Sequence, residues 1–492
     1  MLFTTQNPAA IAGLCIGLGL FAIVVRALAN PLKKVPGPWH STFTRLPLKL
    51  AIIRGRRIYY IDALHTKYGP YVRVAPNEIA VSDIEGFSQI HRIGTDFMKS
   101  EWYHKFTAQG DKYSLLTMTN AKEHGARRRM FSRPLSHNFL FEHWHGTVKE
   151  MTTLAIRSMR DEATSKGKTN ALMWFTLMAS DVVGSLMQGE SFGGLQLGGI
   201  SELVDIVLER VKIGTIAYEI PIIRSIQHLL EYIRLPRAYI PQIFHSHSDI
   251  ANVAKFSVES IQNSDHTKNV FSNIAVEAEK GEKLDIPDMV NEAITFIIAG
   301  TDTTAVTLTY LLWLVLSRPE LQAKLENETG TLPVNFAESD VEKLPLLNAV
   351  ISETLRLHTP APGALPRIVP PGGAIMGSIP IPAGTIATTQ AYTYHRNATL
   401  FPEPYEFLPS RWLNDEVSPE AKKVFHPLGS GSRICVGMHL AYMELRLASA
   451  EFFRVCKGAC LAASVTDESM EMENHFLMAP RGHKLEIVLP KK

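Results

Sequence analysis

Cysteine is scarce in this chain: 492 residues hold only Cys15, Cys435, Cys456 and Cys460, at no spacing that makes a disulfide framework, which fits a reducing compartment. An excess of one charge is lacking too. Fifty lysines and arginines face 48 acids, and a net charge of +2 gives no general pull toward nucleic acid or anionic surfaces. No glycine-rich dinucleotide or flavin fingerprint follows a strand, so any electrons the protein uses come from a separate partner. No internal repeat or low-complexity tract interrupts the sequence beyond residue 41, which predicts one large domain. What is present, 46% hydrophobic and 20% charged residues, is the composition of a globular chain with a large core.

The N-terminus departs from that average. Residues 9–25 carry no charge, and about 17 residues at 1.5 Å rise approach the lower limit for crossing a bilayer core. Arg26, Lys33 and Lys34 follow, a basic flank that keeps the downstream chain cytoplasmic. A cleaved signal peptide is the rival reading, but its positive charge belongs before the apolar run. The expected division is a transmembrane anchor over 1–29, a basic and proline-rich hinge over 30–40 containing Val35-Pro36-Gly37-Pro38-Trp39, and a catalytic body over 41–492.

One helix in the body is especially legible. It begins near Asp285-Ile286-Pro287, an acid suited to capping and a proline suited to the first turn, and ends where Ser317-Arg318-Pro319 stops it. Being apolar nearly all round, it is predicted to be central and buried. Helical periodicity recurs at 145–160, 171–188, 201–213, 341–358 and 437–455, and strand-like alternation at 71–74, 78–81 and 485–488. The expected fold class is mainly α with small β-sheets (α+β). Residues 360–434, rich in proline and glycine, read as a long irregular region of the kind kept for function.

The chemistry concentrates near the C-terminus, in Leu428-Gly429-Ser430-Gly431-Ser432-Arg433-Ile434-Cys435-Val436-Gly437. A cysteine that opens a helix faces free amides and the positive dipole end, both of which favour the thiolate a metal needs. Gly431 and Gly437 permit positive φ and close approach to a bulky plane, and Arg433 offers a fork of donors to a carboxylate. A lone cysteine is more often inert and buried; ten residues in one pattern reverse that.

These residues resemble the haem-binding loop of the cytochrome P-450 superfamily, F-x-x-G-x-R-x-C-x-G, with Leu428 at the usual phenylalanine position. The resemblance implies that family's fold and a haem b whose iron takes Cys435 as axial ligand. In the long helix, Ala299-Gly300-Thr301-Asp302-Thr303-Thr304 is similar to the oxygen-activating motif, implying that Thr303 hydrogen-bonds dioxygen and Asp302 relays protons for O–O scission. Hydroxyls bonding back to the preceding turn are the bland alternative. Glu353, Arg356 and Arg411, the last followed by Trp412 at the family's aromatic place, would form a buried structural network. His124 and Arg128 stand where the family has W-x-x-x-R, and with Arg367 and Arg433 they are the expected propionate donors. Cys456 and Cys460 read as core residues.

The implied activity is insertion of one atom of O2 into a lipophilic small molecule, with electrons from an NADPH-dependent diflavin reductase at the endoplasmic reticulum membrane. The chain would be single-pass there, with its catalytic domain cytosolic and no nucleic-acid partner. Arg127, Arg128, Arg129, Arg133, Lys422 and Lys423 are candidates for reductase docking. The family's substrate-contact regions map to 98–118, 213–223, 293–303, 361–365 and 476–478, mainly Phe, Leu, Ile, Ala and Met, which favours apolar walls with few polar anchors. The anchor, the hinge and the stretch from Glu123 to Arg129 look like filamentous-fungal members that act in secondary metabolism on terpenoids or polyketides, mycotoxin precursors included. Two other classes remain: a redox-independent haem-thiolate isomerase or dehydratase, and a non-catalytic haem sensor. Asp302 and Thr303 argue against both.

Overall fold

The computed structural model describes residues 8–107, 112–199, 212–233, 240–241, 269–277, 284–414 and 416–490. Its axis is the helix Ile286–Leu316, begun by Asp285, whose carboxylate accepts the Asp288 N–H at 2.8 Å, and by Pro287 in the first turn. Such a cap is worth about 1 kcal/mol. Ser317 and the proline at 319 end it as the sequence predicts. Along its length it packs against Ala171–Gln188, a helix buried almost all round. Gly300 sets that approach, because a Cβ there would lie 2.3 Å from Val183 Cγ2.

His145–Lys166, Pro345–Leu357 and Met438–Val455 complete the helical body. Most of the helix predicted at 201–213 lies outside the described residues. Five short strands form the main sheet: β1 (Tyr71–Ala75), β2 (Glu78–Val81), β3 (Met98–Lys99), β5 (Arg367–Ile368) and β8 (Ile386–Thr388), in the order β1-β2-β8-β5-β3. Only β2 and β8 run parallel. A three-stranded sheet joins β4 (Thr169–Asn170), β12 (Glu486–Val488) and β9 (Cys460–Leu461). Two hairpins, β6 (Ala374–Met376) with β7 (Ile379–Ile381) and β10 (Met472–His475) with β11 (Leu477–Pro480), complete the strands among the described residues.

Two expectations change. The region 360–434 is not structureless; among its described residues it carries β5 to β8, three short α-helices and the 3-10 turn Gly431–Arg433, its prolines and glycines serving the turns between them. Cys460 is exposed on β9, while Cys456 is in the core. The proline-rich segment expected as a stiff hinge is packed against the body. Leu32 and Val35 are buried, their carbonyls accept from the Arg73 guanidinium at 2.9 and 3.2 Å, and a Cβ at Gly37 would lie 2.4 Å from the Arg73 carbonyl.

Ahead of it, Pro8–Leu28 forms a 21-residue helix with Leu14, Leu18, Phe21 and Leu28 exposed. Among the described residues, the helix long and apolar enough to count as a membrane span is Ile286–Leu316, which is mostly buried and belongs to the core.

Candidate active site

The cysteine loop is built by glycine and by two backbone contacts. Gly429 and Gly431 take φ of +77° and +64°, and at Gly431 a Cβ would lie 1.8 Å from the His91 carbonyl oxygen, so no side chain fits. The Cys435 N–H donates to the Leu428 carbonyl at 2.8 Å, closing the loop. Gly437 caps the helix Met438–Val455 with φ −86°, so of the two glycines expected to use positive φ Gly431 does and Gly437 does not, Gly429 taking the second such position.

The Gly437 amide hydrogen-bonds the Cys435 sulfur and Arg128 lies close enough to favour its charge, while the protein atoms packed around the sulfur raise the thiol from its usual value although the side chain is exposed. A metal cation bonded to the sulfur would deprotonate it outright.

Beside the loop is a group of cations that lacks counter-charge. On adjacent antiparallel strands Lys99 stands directly opposite Arg367, an arrangement that repels. Both are buried. Burial, then Arg433 and Arg367, push the Lys99 ammonium well below its usual pKa, and its Nζ donates to the Leu116 carbonyl at 2.6 Å. His124 is held neutral, its pKa lowered to about 3 by burial and by Arg433, Lys99, Arg128 and Arg367. Among the described residues the Arg367 Nε has no hydrogen-bond partner.

An uncompensated buried cluster of this kind is costly, and it fits a group bearing two carboxylates. With Cys435 alongside, the donor set fits haem. Arg433 and Arg128 also tie the site together: Arg433 donates to the Met118 and Thr119 carbonyls at 2.9 and 3.2 Å, and Arg128 to the Ile434 carbonyl at 2.7 Å. Sequence reasoning missed Lys99. A single lysine reads as solvated, and only strand register places it against Arg367.

The central helix brings its polar residues to the same place. A cavity of about 20 Å³ is lined by Thr303, Thr304 and Thr307 of this helix together with Leu428, Ala441 and Tyr442, so the threonine segment and the cysteine loop share a wall. The Thr303 hydroxyl donates to the Ala299 carbonyl at 2.6 Å, leaving its oxygen as an acceptor. Burial raises the Asp302 pKa to about 6, and among the described residues its carboxyl makes no hydrogen bond. A second acid, Glu444, escaped the sequence reading. It is fully buried, pushed well up by burial and hydrogen-bonded to Thr304.

The three residues expected as a network are in contact. Glu353 accepts from Arg356 Nη2 at 2.8 Å and Nε at 2.9 Å, from Arg411 Nε at 3.0 Å, from Trp412 Nε1 at 2.8 Å and from the Leu408 N–H at 3.0 Å. Burial alone would raise its pKa, but Arg356, Leu408 and Trp412 hold it below its usual value. Arg356 spends its remaining donors on the carbonyls of His395, Pro404 and Glu406.

Arg127 is not available for docking as expected. It is buried and paired with Asp288 at 3.0 Å and Glu292 at 2.8 Å, whereas Arg129, Arg133, Lys422 and Lys423 are exposed.

The family model for cytochrome P-450 matches residues 36–487. Cytochrome P-450 monooxygenase cypX of Dothistroma septosporum is 34% identical over 501 residues, covering 98% of this chain and 95% of that one. Cytochrome P-450 monooxygenase stcB of Emericella nidulans is 37% identical over 480 residues, with 94% and 89% covered. For cytochrome P-450 monooxygenase aflV of Aspergillus parasiticus the identity is 34% over 499 residues, with 98% and 96% covered.

Proposed function

The chain belongs to the cytochrome P-450 family and is a haem-thiolate monooxygenase, and we propose that Cys435 is its axial ligand and Asp302 and Thr303 its oxygen-side residues. The observation that carries this is the wall shared by Leu428 of the cysteine loop and Thr303 of the central helix. Bound haem supplies the redox chemistry that splits dioxygen. Around it, Arg367, Arg433, His124 and Lys99 hold the propionates, and Arg128 keeps the cysteine loop in place through the Ile434 carbonyl. Gly431 and Gly437 shape that loop. Thr303 presents an acceptor oxygen, and Asp302, raised to about 6, takes up and releases a proton near neutral pH, as a relay must. Glu353, Arg356 and Arg411 keep the loop seated.

The division of the chain follows from the same reading: residues 1–29 anchor the protein in the endoplasmic reticulum membrane, 30–40 join it to the body, and 41–492 are the catalytic domain on the cytosolic side. A diflavin reductase delivers NADPH electrons, with Arg129, Arg133, Lys422 and Lys423 on the docking face. The substrate is a lipophilic small molecule of fungal secondary metabolism, as the likeness to monooxygenases of Dothistroma, Emericella and Aspergillus suggests.

Co-expression with a reductase followed by untargeted product analysis tests the activity. A product heavier by one oxygen atom, dependent on NADPH, is expected. Turnover without electrons would point to an isomerase instead. The ligand is tested separately: the ferrous protein with carbon monoxide should show the red-shifted Soret band of thiolate ligation, and Cys435→Ala should abolish it.

A further inference from the structure

Glu292, a fully buried acid on the central helix, has no part in the chemistry described above, yet it joins the two segments that carry the cations beside the cysteine loop. Its Oε1 accepts from Arg127 Nη1 at 2.8 Å and from the Leu115 N–H at 2.9 Å, and its Oε2 lies 3.1 Å from the same N–H. Arg127 stands in the helix Ala121–Ser132, and Leu115 in the loop that leads into it.

That loop offers its carbonyls to the cations. The Leu116 carbonyl takes the Lys99 ammonium at 2.6 Å, and the Met118 and Thr119 carbonyls take the Arg433 guanidinium at 2.9 and 3.2 Å. The helix beyond the loop holds His124, one turn before Arg127. The second terminal nitrogen of Arg127 pairs with Asp288, one turn earlier than Glu292 on the central helix, at 3.0 Å. Its fork is thereby fixed against two successive turns.

The other ties among the described residues are local, weak or undirected. A bond from the Ser114 N–H to the Thr117 hydroxyl at 2.9 Å shapes the turn within the loop. Lys112 pairs with Asp285 at 2.8 Å, but both side chains are half exposed and solvent screens such a pair. Leu115 and Met118 pack into the interior, and apolar burial has no direction. The contact with Glu292 is buried, directional and made to a carboxylate, the stronger kind of hydrogen bond. Burial lifts the pKa of that carboxyl to about 7 against the pull of Arg127 and the Leu115 amide, so the carboxylate predominates above that pH.

We propose that Glu292 is a positioning residue for haem: by gripping the Leu115 amide and Arg127 together, it aims Lys99, Arg433 and His124 at the propionates. The proposal rests on the haem-thiolate reading and its propionate donors, and adds a residue that acts only through them.

Its signature is the sign of a shift in reduction potential. Glu292→Gln removes a negative charge, which by itself favours the ferrous state and raises the potential. Slackened donors leave the propionate charges less compensated, which favours the ferric state and lowers it. Positioning therefore predicts a fall where the charge alone predicts a rise.

The test uses haem-loaded protein at pH 8, where the wild-type carboxylate predominates. The potential of Glu292→Gln is expected below that of wild type, and its haem should pass to apomyoglobin about tenfold faster, a change within the reach of one charge-assisted contact. Arg433→Lys keeps a cation but loses the fork that reaches the Met118 and Thr119 carbonyls. In that background Glu292→Gln should speed transfer by about threefold or less, because contacts in one network do not add. Glu292→Asp, which keeps the charge and draws the carboxylate back by one methylene, gives the same comparison if the glutamine variant does not load haem, and its potential should fall as well.

A potential that rises or stays unchanged, or an undiminished effect beside Arg433→Lys, overturns the proposal and leaves Glu292 as a structural partner of Arg127. The carbon monoxide spectrum separates this from the parent reading. A wild-type protein with the thiolate band whose potential does not fall on substitution defeats the positioning role, and a wild-type protein without the band defeats the thiolate assignment.

Discussion

The imidazole of His395 joins the charge network to the cysteine loop: its Nε2 accepts the backbone N–H of His426 at 3.0 Å, while its Nδ1 donates to the Arg356 carbonyl at 3.1 Å. His426 opens the turn that leads to Leu428, whose carbonyl holds the Cys435 amide. A second tie runs from the Thr359 hydroxyl to the Pro427 carbonyl at 2.9 Å. The distant ion pair therefore fixes the loop through one neutral ring.

Replacing that ring should loosen the loop without touching the sulfur. His395→Ala leaves the buried His426 N–H without an acceptor, a loss of about 1–3 kcal/mol. We expect a lower thermal midpoint and a carbon monoxide complex that loses its red-shifted Soret band faster on warming. A band as durable as that of the wild type would show that the Thr359 tie suffices.

Glu353→Gln should be far more severe. It strands the Arg356 and Arg411 guanidinium groups in a site where both are buried, and breaking a buried pair in this way costs about 3–5 kcal/mol. The expected outcome is little soluble haem-loaded protein, measured as haem absorbance per mole of purified chain. A wild-type yield would mean that the network is ornamental.

For Thr303 the two readings separate cleanly. Its hydroxyl proton is committed to Ala299, so Thr303→Ala removes both that helix bond and the acceptor oxygen on the shared wall. NADPH consumption should continue while product falls and peroxide rises. Unchanged coupling would leave the hydroxyl as a helix bond and nothing more.

Asp302 predicts a pH dependence whose sign follows from its raised pKa. The folded protein binds this proton more tightly than the unfolded chain, for which the value is 3.8, so the carboxyl favours folding below that pH. The advantage is lost as pH rises through about 6. Asp302→Asn, neutral throughout, should therefore gain stability relative to wild type between pH 4 and 7, by at most about 3 kcal/mol. Thermal midpoints across that range check it. Coupled turnover should fall tenfold or more in the same variant, since positioned proton transfer contributes on the order of a hundredfold or more.

Much of this was legible from residues near one another in the chain. The central helix was readable because its signals are local: Asp285 at the cap, a proline in the first turn, apolar residues all round and a proline beyond the end. The cysteine loop was readable because four of its positions recur within ten residues, and Glu353 and Arg356 because they lie one helical turn apart. Each is a matter of backbone preference and short spacing, which sequence states directly.

Tertiary structure decided the rest, because burial and register are not properties of a residue's neighbours in sequence. Lys99 opposes Arg367 only through strand pairing between segments 268 positions apart. Burial pushed the Glu444 carboxyl beside Thr304 well above its usual pKa and made Arg127 a partner of Glu292 rather than a docking cation. Packing bears on Cys435 as well: its position at a helix start favours a thiolate, whereas the protein atoms that the fold brings around the sulfur raise the thiol although the side chain is exposed.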